Sequence, residues 1–237
     1  MNEKNILIMA SGSGSNAEAI VKGAQAQALP MRFVCGCDKK PEKAGVYEKM
    51  EKLGVTVHYL PAPYGDHSAL SEFMKNHKPD LTVLAGYMRI LPPEIADKYD
   101  ILNIHPSILP FVYKGSMDAY QDAMDADDKY TGCTVHRVTS DVDAGERVGQ
   151  IAFEIPEFIK TERDIGKLKA IGLSYEHALY LIAINSVLRN ESPDTMLVAR
   201  VAAANLKVRG LPMIKTIVPL NNAPVFAEFC SKELACR

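Results

Sequence analysis

Three short segments gather the side chains that could do chemistry. The first is Asn103-Ile104-His105-Pro106-Ser107. In an extended chain the two-residue period puts Asn103 and His105 on one face. Pro106 biases His105 toward extended backbone and ends the strand. An amide beside an imidazole makes a donor pair for a developing oxyanion, and the imidazole can also move a proton. A satisfied structural histidine is the alternative. The second segment is Ser11-Gly12-Ser13-Gly14-Ser15-Asn16. Its glycines permit a tight turn and let an oxyanion approach the backbone. Ser15 and Asn16 could cap the following helix, whose N-terminus favours an anion. No Gly-Lys-Ser/Thr follows, so this is not a Walker loop. Gly12, Gly14 and Ala17 also fit G-x-G-x-x-A, with Asp38 where a ribose-binding acid would stand. A turn and cap with no ligand remains open. The third segment is Asp141-Val142-Asp143-Ala144-Gly145. A carboxylate close to His105 would raise the imidazole pKa and fix its orientation. A solvated turn acid is the plainer reading of either Asp.

Other titratable residues read as structural. His136 lies on a strand, and His58, His67 and His77 have no metal-ligand spacing. Glu176 sits in a long helix, where a solvated face is the common role, and Met88-Arg89 reads as loop. The five cysteines, Cys35, Cys37, Cys133, Cys230 and Cys236, lack zinc spacing and read as reduced cytoplasmic thiols.

The elements that must position these segments alternate. Apolar runs at 5–10, 31–37, 55–60, 81–85 and 101–104 read as strands. Helical spacing at 17–28, 41–53, 68–76 and 92–98 separates them, with loops at 11–16 and 61–65. This pattern predicts an α/β fold with a Rossmann-like open, mostly parallel twisted sheet flanked by helices. Ligands bind at the carboxyl ends of such strands, where Asn103 and His105 fall. After a loop at 106–115, residues 117–124 suit a short helix. Residues 131–138 and 148–155 suit two antiparallel strands, and 165–188 a long helix with Leu168, Ile171, Tyr175, Ala178, Leu179, Ile182 and Val187 on a broad face. Residues 190–237 are mixed and resist assignment.

The chain has 237 residues, with 27 Lys+Arg against 29 Asp+Glu and 47% hydrophobic residues. That composition excludes disorder, and the absence of net basic charge argues against general nucleic-acid binding. The longest uncharged stretch is 13 residues, so neither a membrane span nor a signal peptide is expected.

Taken together, SGSGSN at 11–16, LAGYMRILPP at 84–93, LNIHPSILP at 102–110, GCTVHRVTSDVDAG at 132–145 and YEHALY at 175–180 resemble the folate-dependent formyltransferases. Order and spacing match over about residues 4–190. SGSGSN and MRIL narrow the likeness to the branch acting on glycinamide ribonucleotide. The resemblance implies one formyltransferase domain over 1–237, its catalytic body at about 1–190 and a tail at 191–237. It implies Asn103, His105 and Asp143 as the catalytic trio. Gly14, Ser15, Asn16 and Glu176 match substrate-binding positions. Met88, Arg89, Ile90, Leu91, Asn103, Thr139, Ser140, Asp141, Val142 and Asp143 match the folate-lining positions, partly through backbone groups. The implied reaction carries a formyl group from 10-formyltetrahydrofolate to the amine of glycinamide ribonucleotide in purine synthesis. It needs small-molecule substrates only, with no metal, nucleic acid or membrane, in a cytoplasmic monomer or homodimer. The sequence departs from the family after Pro110, where FVYKGSMDAYQDAM carries neither the usual His nor Arg. Ala144-Gly145-Glu146 replaces Gly-Gly-Pro, Arg137 replaces an apolar residue, and the loop around 64–68 lacks an Arg. The other readings are a formyltransferase with another amine acceptor, a formyltetrahydrofolate hydrolase, and a dinucleotide-binding oxidoreductase or binding module.

Overall fold

The computed structural model describes residues 2–212 and, in the backbone, 217–219. Cys230, Cys236 and the rest of the tail lie outside the described residues. The chain divides into two compact units, Met1–Ile104 with Arg137–Gly145, and His105–His136 with Glu146–Arg237.

The first unit holds five parallel strands: β1 (Lys4–Ala10), β2 (Met31–Cys37), β3 (Val57–Tyr59), β4 (Leu81–Leu84) and β5 (Ile101–His105, whose last residue falls in the second unit). Their order is β3-β2-β1-β4-β5. Ile6 of the central β1 sits level with Phe33 on one side and Leu81 on the other. Residues Ile6, Leu7, Ile8, Met9 and Ala10 are fully buried. A central parallel strand is covered on both faces, which is why this stretch is continuously apolar rather than alternating. Leu7, Met9 and Leu84 pack with Leu70, Phe73 and Met74 of α3 (Ser68–His77), and with Leu91 and Ile95 around α4 (Pro93–Ala96). The helix expected over 41–53 is broken into a 3-10 turn, Pro41–Lys43, and α2 (Val46–Glu51). Ala44 is extended between them, at φ −145° and ψ 122°, because Val46 N–H donates to the Gly12 carbonyl at 3.2 Å. A tertiary hydrogen bond here overrides a helical pattern.

The second unit holds β6 (Tyr130–Arg137, whose last residue falls in the first unit), β7 (Arg147–Glu154) and β8 (Ile217–Pro219), antiparallel in that order. A register shift between Val135 and His136 marks a bulge in β6. Helices α5 (Ala119–Asp125), α6 (Glu157–Glu162), α7 (Ile165–Arg189) and α8 (Thr195–Val208) complete it. Neither α6 nor α8 is among the expected elements, although Val198, Ala202 and Leu206 of α8 recur at helical spacing and are buried. Helix α7 starts where the Asp164 carboxylate accepts the Lys167 N–H at 2.8 Å. It runs 25 residues, with a mean hydropathy of 1.2 over a window that meets the length and composition of a membrane span. The count of uncharged residues alone does not show this. Yet 67% of that window is buried inside the protein, where Phe153 stacks on Tyr175 with ring centroids 4.6 Å apart. Burial runs round most of α7, taking in Gly172, Ser174 and Glu176 as well as the expected Leu168, Ile171 and Leu179. Glu176 is therefore not a solvated helix residue.

Candidate active site

In the first unit the 11–16 loop joins β1 to α1 (Ser15–Ala26). The helix begins at Ser15, so Ser15 and Asn16 do not cap it. Its N-cap is Gly14, left-handed at φ 72°, with no side-chain cap. The first-turn amides are thus not satisfied by a capping side chain, which suits them to an anion. Gly14 is required twice over. Its φ disfavours a side chain, and a Cβ there would meet Cβ and Cγ2 of Val46 at 2.7 Å. Ser11 ties this loop to the 86–89 turn. Its N–H donates to the Gly86 carbonyl at 3.1 Å, and its Oγ accepts the Met88 N–H at 3.0 Å. The structure therefore brings the Gly/Ser loop and the Met88–Leu91 segment together.

Within that segment the side chains divide. Met88 and Ile90 are exposed large apolar residues, whereas Leu91 is buried in the core. Leu91 can serve a ligand only through its backbone. Arg89 Nε donates to Asp38 Oδ2 at 2.8 Å, with the Asp38 side chain 1% exposed and that of Arg89 46%. Asp38, placed by sequence as a ribose acid, instead holds Arg89, and its buried Oδ1 has no hydrogen-bond partner among the described residues. No spacing marks this pair, whose members lie 51 residues apart. Tyr87 Oη stands 3.4 Å from Nδ1 of the buried His67.

Residues 138–145 turn within the same unit. Val138 N–H donates to the Ile101 carbonyl at 2.8 Å, and Ser140 N–H to Asp97 Oδ1 at 2.9 Å. Thr139 Oγ1 donates to the Asp141 carbonyl at 3.0 Å, and Ala144 N–H to the same oxygen at 3.3 Å. Asp143 is left-handed at φ 52°, a conformation Asp tolerates better than most residues. Gly145 is needed because a side chain there would overlap the Arg137 carbonyl. Val142 is exposed, like Met88 and Ile90 of the same unit. Arg137 is ion-paired with Asp100, which accounts for a charge at a position where the family resemblance expects an apolar residue.

Asn103 and His105 stand two residues apart on β5, as the period requires. His105 is 6% exposed, and its Nε2 lies 2.8 Å from the Tyr113 carbonyl. Behind it, a buried polar lattice fixes the segment up to the cis Leu109-Pro110 bond. Thr134 Oγ1 donates to the Ser107 carbonyl at 2.7 Å and accepts the Leu109 N–H at 3.1 Å. Gln150 Nε2 donates to the Leu109 carbonyl at 2.7 Å. These bonds satisfy backbone groups that an irregular buried segment would otherwise leave unpaired.

Glu176, also in the second unit, is 6% exposed, and its Oε1 accepts the Tyr120 hydroxyl at 2.9 Å. Burial, then the Glu176 charge, pushes the Tyr120 hydroxyl well above its ordinary pKa, so it stays a donor. Tyr113 and Tyr120 both come from the segment after Pro110, and neither is among the candidate residues read from the sequence. No periodic signal marks them. Among the described residues, no group of three or more His, Cys, Asp or Glu stands together to hold a metal ion.

Residues 4–184 match the family model described as formyl transferase. A phosphoribosylglycinamide formyltransferase of Haemophilus influenzae is 31% identical over 187 residues, 76% of this chain and 85% of that protein. The trifunctional purine biosynthetic protein adenosine-3 of Bos taurus is 32% identical over 79% of this chain, which spans 19% of that longer protein. Among solved structures, the phosphoribosylglycinamide formyltransferase of Anaplasma phagocytophilum superposes with a TM-score of 0.71 at 28% identity, covering 80% of this chain and 89% of its own.

Proposed function

Because the chain belongs to the formyl transferase family, we propose that it transfers a formyl group from 10-formyltetrahydrofolate to the amine of glycinamide ribonucleotide, a step of purine synthesis. Both substrates are small molecules met in the cytoplasm. The observation that carries the reading is the pairing of Asn103 and the buried His105 at the carboxyl end of β5, in a chain matched along most of its length by enzymes of that name.

The amine nitrogen attacks the formyl carbon, and the carbonyl oxygen takes up negative charge. Asn103 and a protonated His105 donate to that oxygen. A donor fixed in place before reaction typically lowers the barrier by about 3–4 kcal/mol. Asp143 is the carboxylate of the catalytic trio by its match to the family's motif. The bond from the formyl carbon to folate nitrogen then breaks, and the proton lost by the amine reaches that nitrogen through His105 or water. The ribonucleotide phosphate rests on the amides at Gly14, Ser15 and Asn16, supported by the absence of a side-chain cap on α1. Glu176 binds the sugar hydroxyls or the amine. Exposed Met88, Ile90 and Val142 offer apolar contact to the folate ring, while Leu91, Thr139, Ser140 and Asp141 contribute backbone groups. Arg89, half exposed beside its partner Asp38, offers a cation to an anionic part of the folate.

The test is a spectrophotometric assay of folate product, with and without glycinamide ribonucleotide. Product that requires the ribonucleotide is expected. Product without any amine would mean hydrolysis, and none in either case would mean another acceptor. His105→Ala should lower kcat by about 10²–10³ with the fold intact, and near-normal turnover would sink the assignment.

A further inference from the structure

The geometry points to Tyr113 as a positioning residue for His105. Its backbone carbonyl fixes the ring proton on Nε2, and its side chain, tied to Asp128, holds that carbonyl in place. The inference rests on the reading of His105 as the catalytic imidazole.

A carbonyl oxygen can only accept, so the 2.8 Å contact with Tyr113 puts a hydrogen on His105 Nε2. In the neutral ring the basic electron pair is then on Nδ1, and the proton that the reaction moves enters and leaves there. A free imidazole has no such preference imposed on it and can rotate. A backbone carbonyl thus does for this histidine what an orienting acceptor commonly does for a working imidazole.

The carbonyl is not placed by a regular element. Tyr113 is left-handed at φ 57°, a conformation unfavourable for a bulky residue, so something must hold it. Its hydroxyl donates to Asp128 Oδ2 at 2.6 Å, a short charge-assisted bond, and approaches the Asp122 carbonyl at 3.3 Å. The same Tyr113 carbonyl accepts the Ser116 N–H at 3.1 Å, closing a turn. Ser116 Oγ in turn bonds Asp122 on α5. The turn is therefore pinned at both ends to α5 and the residues that follow it. A continuous line of bonds runs from the Asp128 carboxylate through Tyr113 to the imidazole.

The variant Tyr113→Phe keeps the carbonyl and the ring and removes only the hydroxyl's bonds to Asp128 and the Asp122 carbonyl. We expect kcat to fall about tenfold, as small misplacements near reacting atoms do, with KM for the ribonucleotide nearly unchanged. Asp128→Ala should match it. Asp128→Asn keeps an acceptor oxygen and should restore most of the rate. Nitrogen-15 shifts of His105, recorded at a pH where the ring is neutral, should show its hydrogen on Nε2 in the unmodified protein and a tautomer mixture in Tyr113→Phe. This readout needs no turnover and would not move for a merely structural residue. Urea melts confirm that each variant is folded. If Tyr113→Phe keeps or raises kcat and leaves the His105 shifts unchanged, the inference is overturned. That result leaves the formyl-transfer reading standing as long as His105→Ala is inactive. A fully active His105→Ala would instead remove the reading beneath both.

Discussion

Replacing Gly172 with alanine tests the packing that holds Glu176. Gly172 and Glu176 lie one turn apart on α7, on the same side. A Cβ at 172 would overlap Cζ and Oη of Tyr120 and meet its Cε2 at 2.7 Å. The absent side chain is the slot through which the phenol reaches the carboxylate. Two effects of opposite sign compete. Alanine favours a helix interior over glycine by about 1 kcal/mol. Against this, overpacking a rigid ring costs about 1–3 kcal/mol. Displacing the Tyr120 hydroxyl from a carboxylate costs a further ~1.5–3 kcal/mol. The ring is buried and cannot swing into solvent, so the costs win, and the net loss is about 2–5 kcal/mol. Urea unfolding should show a lower midpoint with an unchanged slope. Tyr120→Phe should lose only the hydrogen-bond part, about 1.5–3 kcal/mol. In Tyr120→Ala the slot is empty, so adding Gly172→Ala should cost nothing more. The reasoning is refuted if Gly172→Ala alone stabilises the protein by its helical preference, for then the ring is not held where the structure puts it.

Tyr175 Oη is buried with no hydrogen-bond partner among the described residues, so Tyr175→Phe should leave the urea midpoint unchanged or raise it, opposite to Tyr120→Phe. Gly14→Ala should destabilise by about 1–2 kcal/mol from its φ alone, with more from Val46, and should weaken ribonucleotide binding in calorimetry. Burial raises the hydroxyl pKa values of Tyr47, Tyr87, Tyr120 and Tyr175. Their folded values exceed the unfolded value near 10. The stability they confer is whole below about pH 10 and is lost as pH rises beyond it. Absorbance titration should find them ionising only with alkaline unfolding. Burial pushes Cys35 up to about 12 and raises Cys37 and Cys133, so peptide mapping after thiol labelling at pH 8 should find all three unmodified until the protein unfolds.

Most of the fold and part of the site are local properties, and these were legible in the amino-acid order. The continuous apolar run of β1, the two-residue phase of Asn103 and His105, and the helix over 165–188 each follow from periods set within one element. So does the turn at Gly14, though the N-cap falls on the glycine and not on Ser15 or Asn16. What pairs with what was not legible. The break between Pro41–Lys43 and α2 comes from a hydrogen bond to Gly12, outside the pattern that predicts one helix. Glu176 has the exposure of a core residue because α7 is buried round most of its surface, a consequence of what packs on it. Its partner Tyr120 is 56 residues away, and the partner of Asp38 is 51 away. Tyr113 meets His105 through a carbonyl, a group every residue owns, so no residue type could announce it. The sequence determined which side chains were available and which way each element turned them. The tertiary structure alone decided which were desolvated and which donor each acceptor met. Burial and hydrogen bonding join residues that are close in space, and distance along the chain does not encode them.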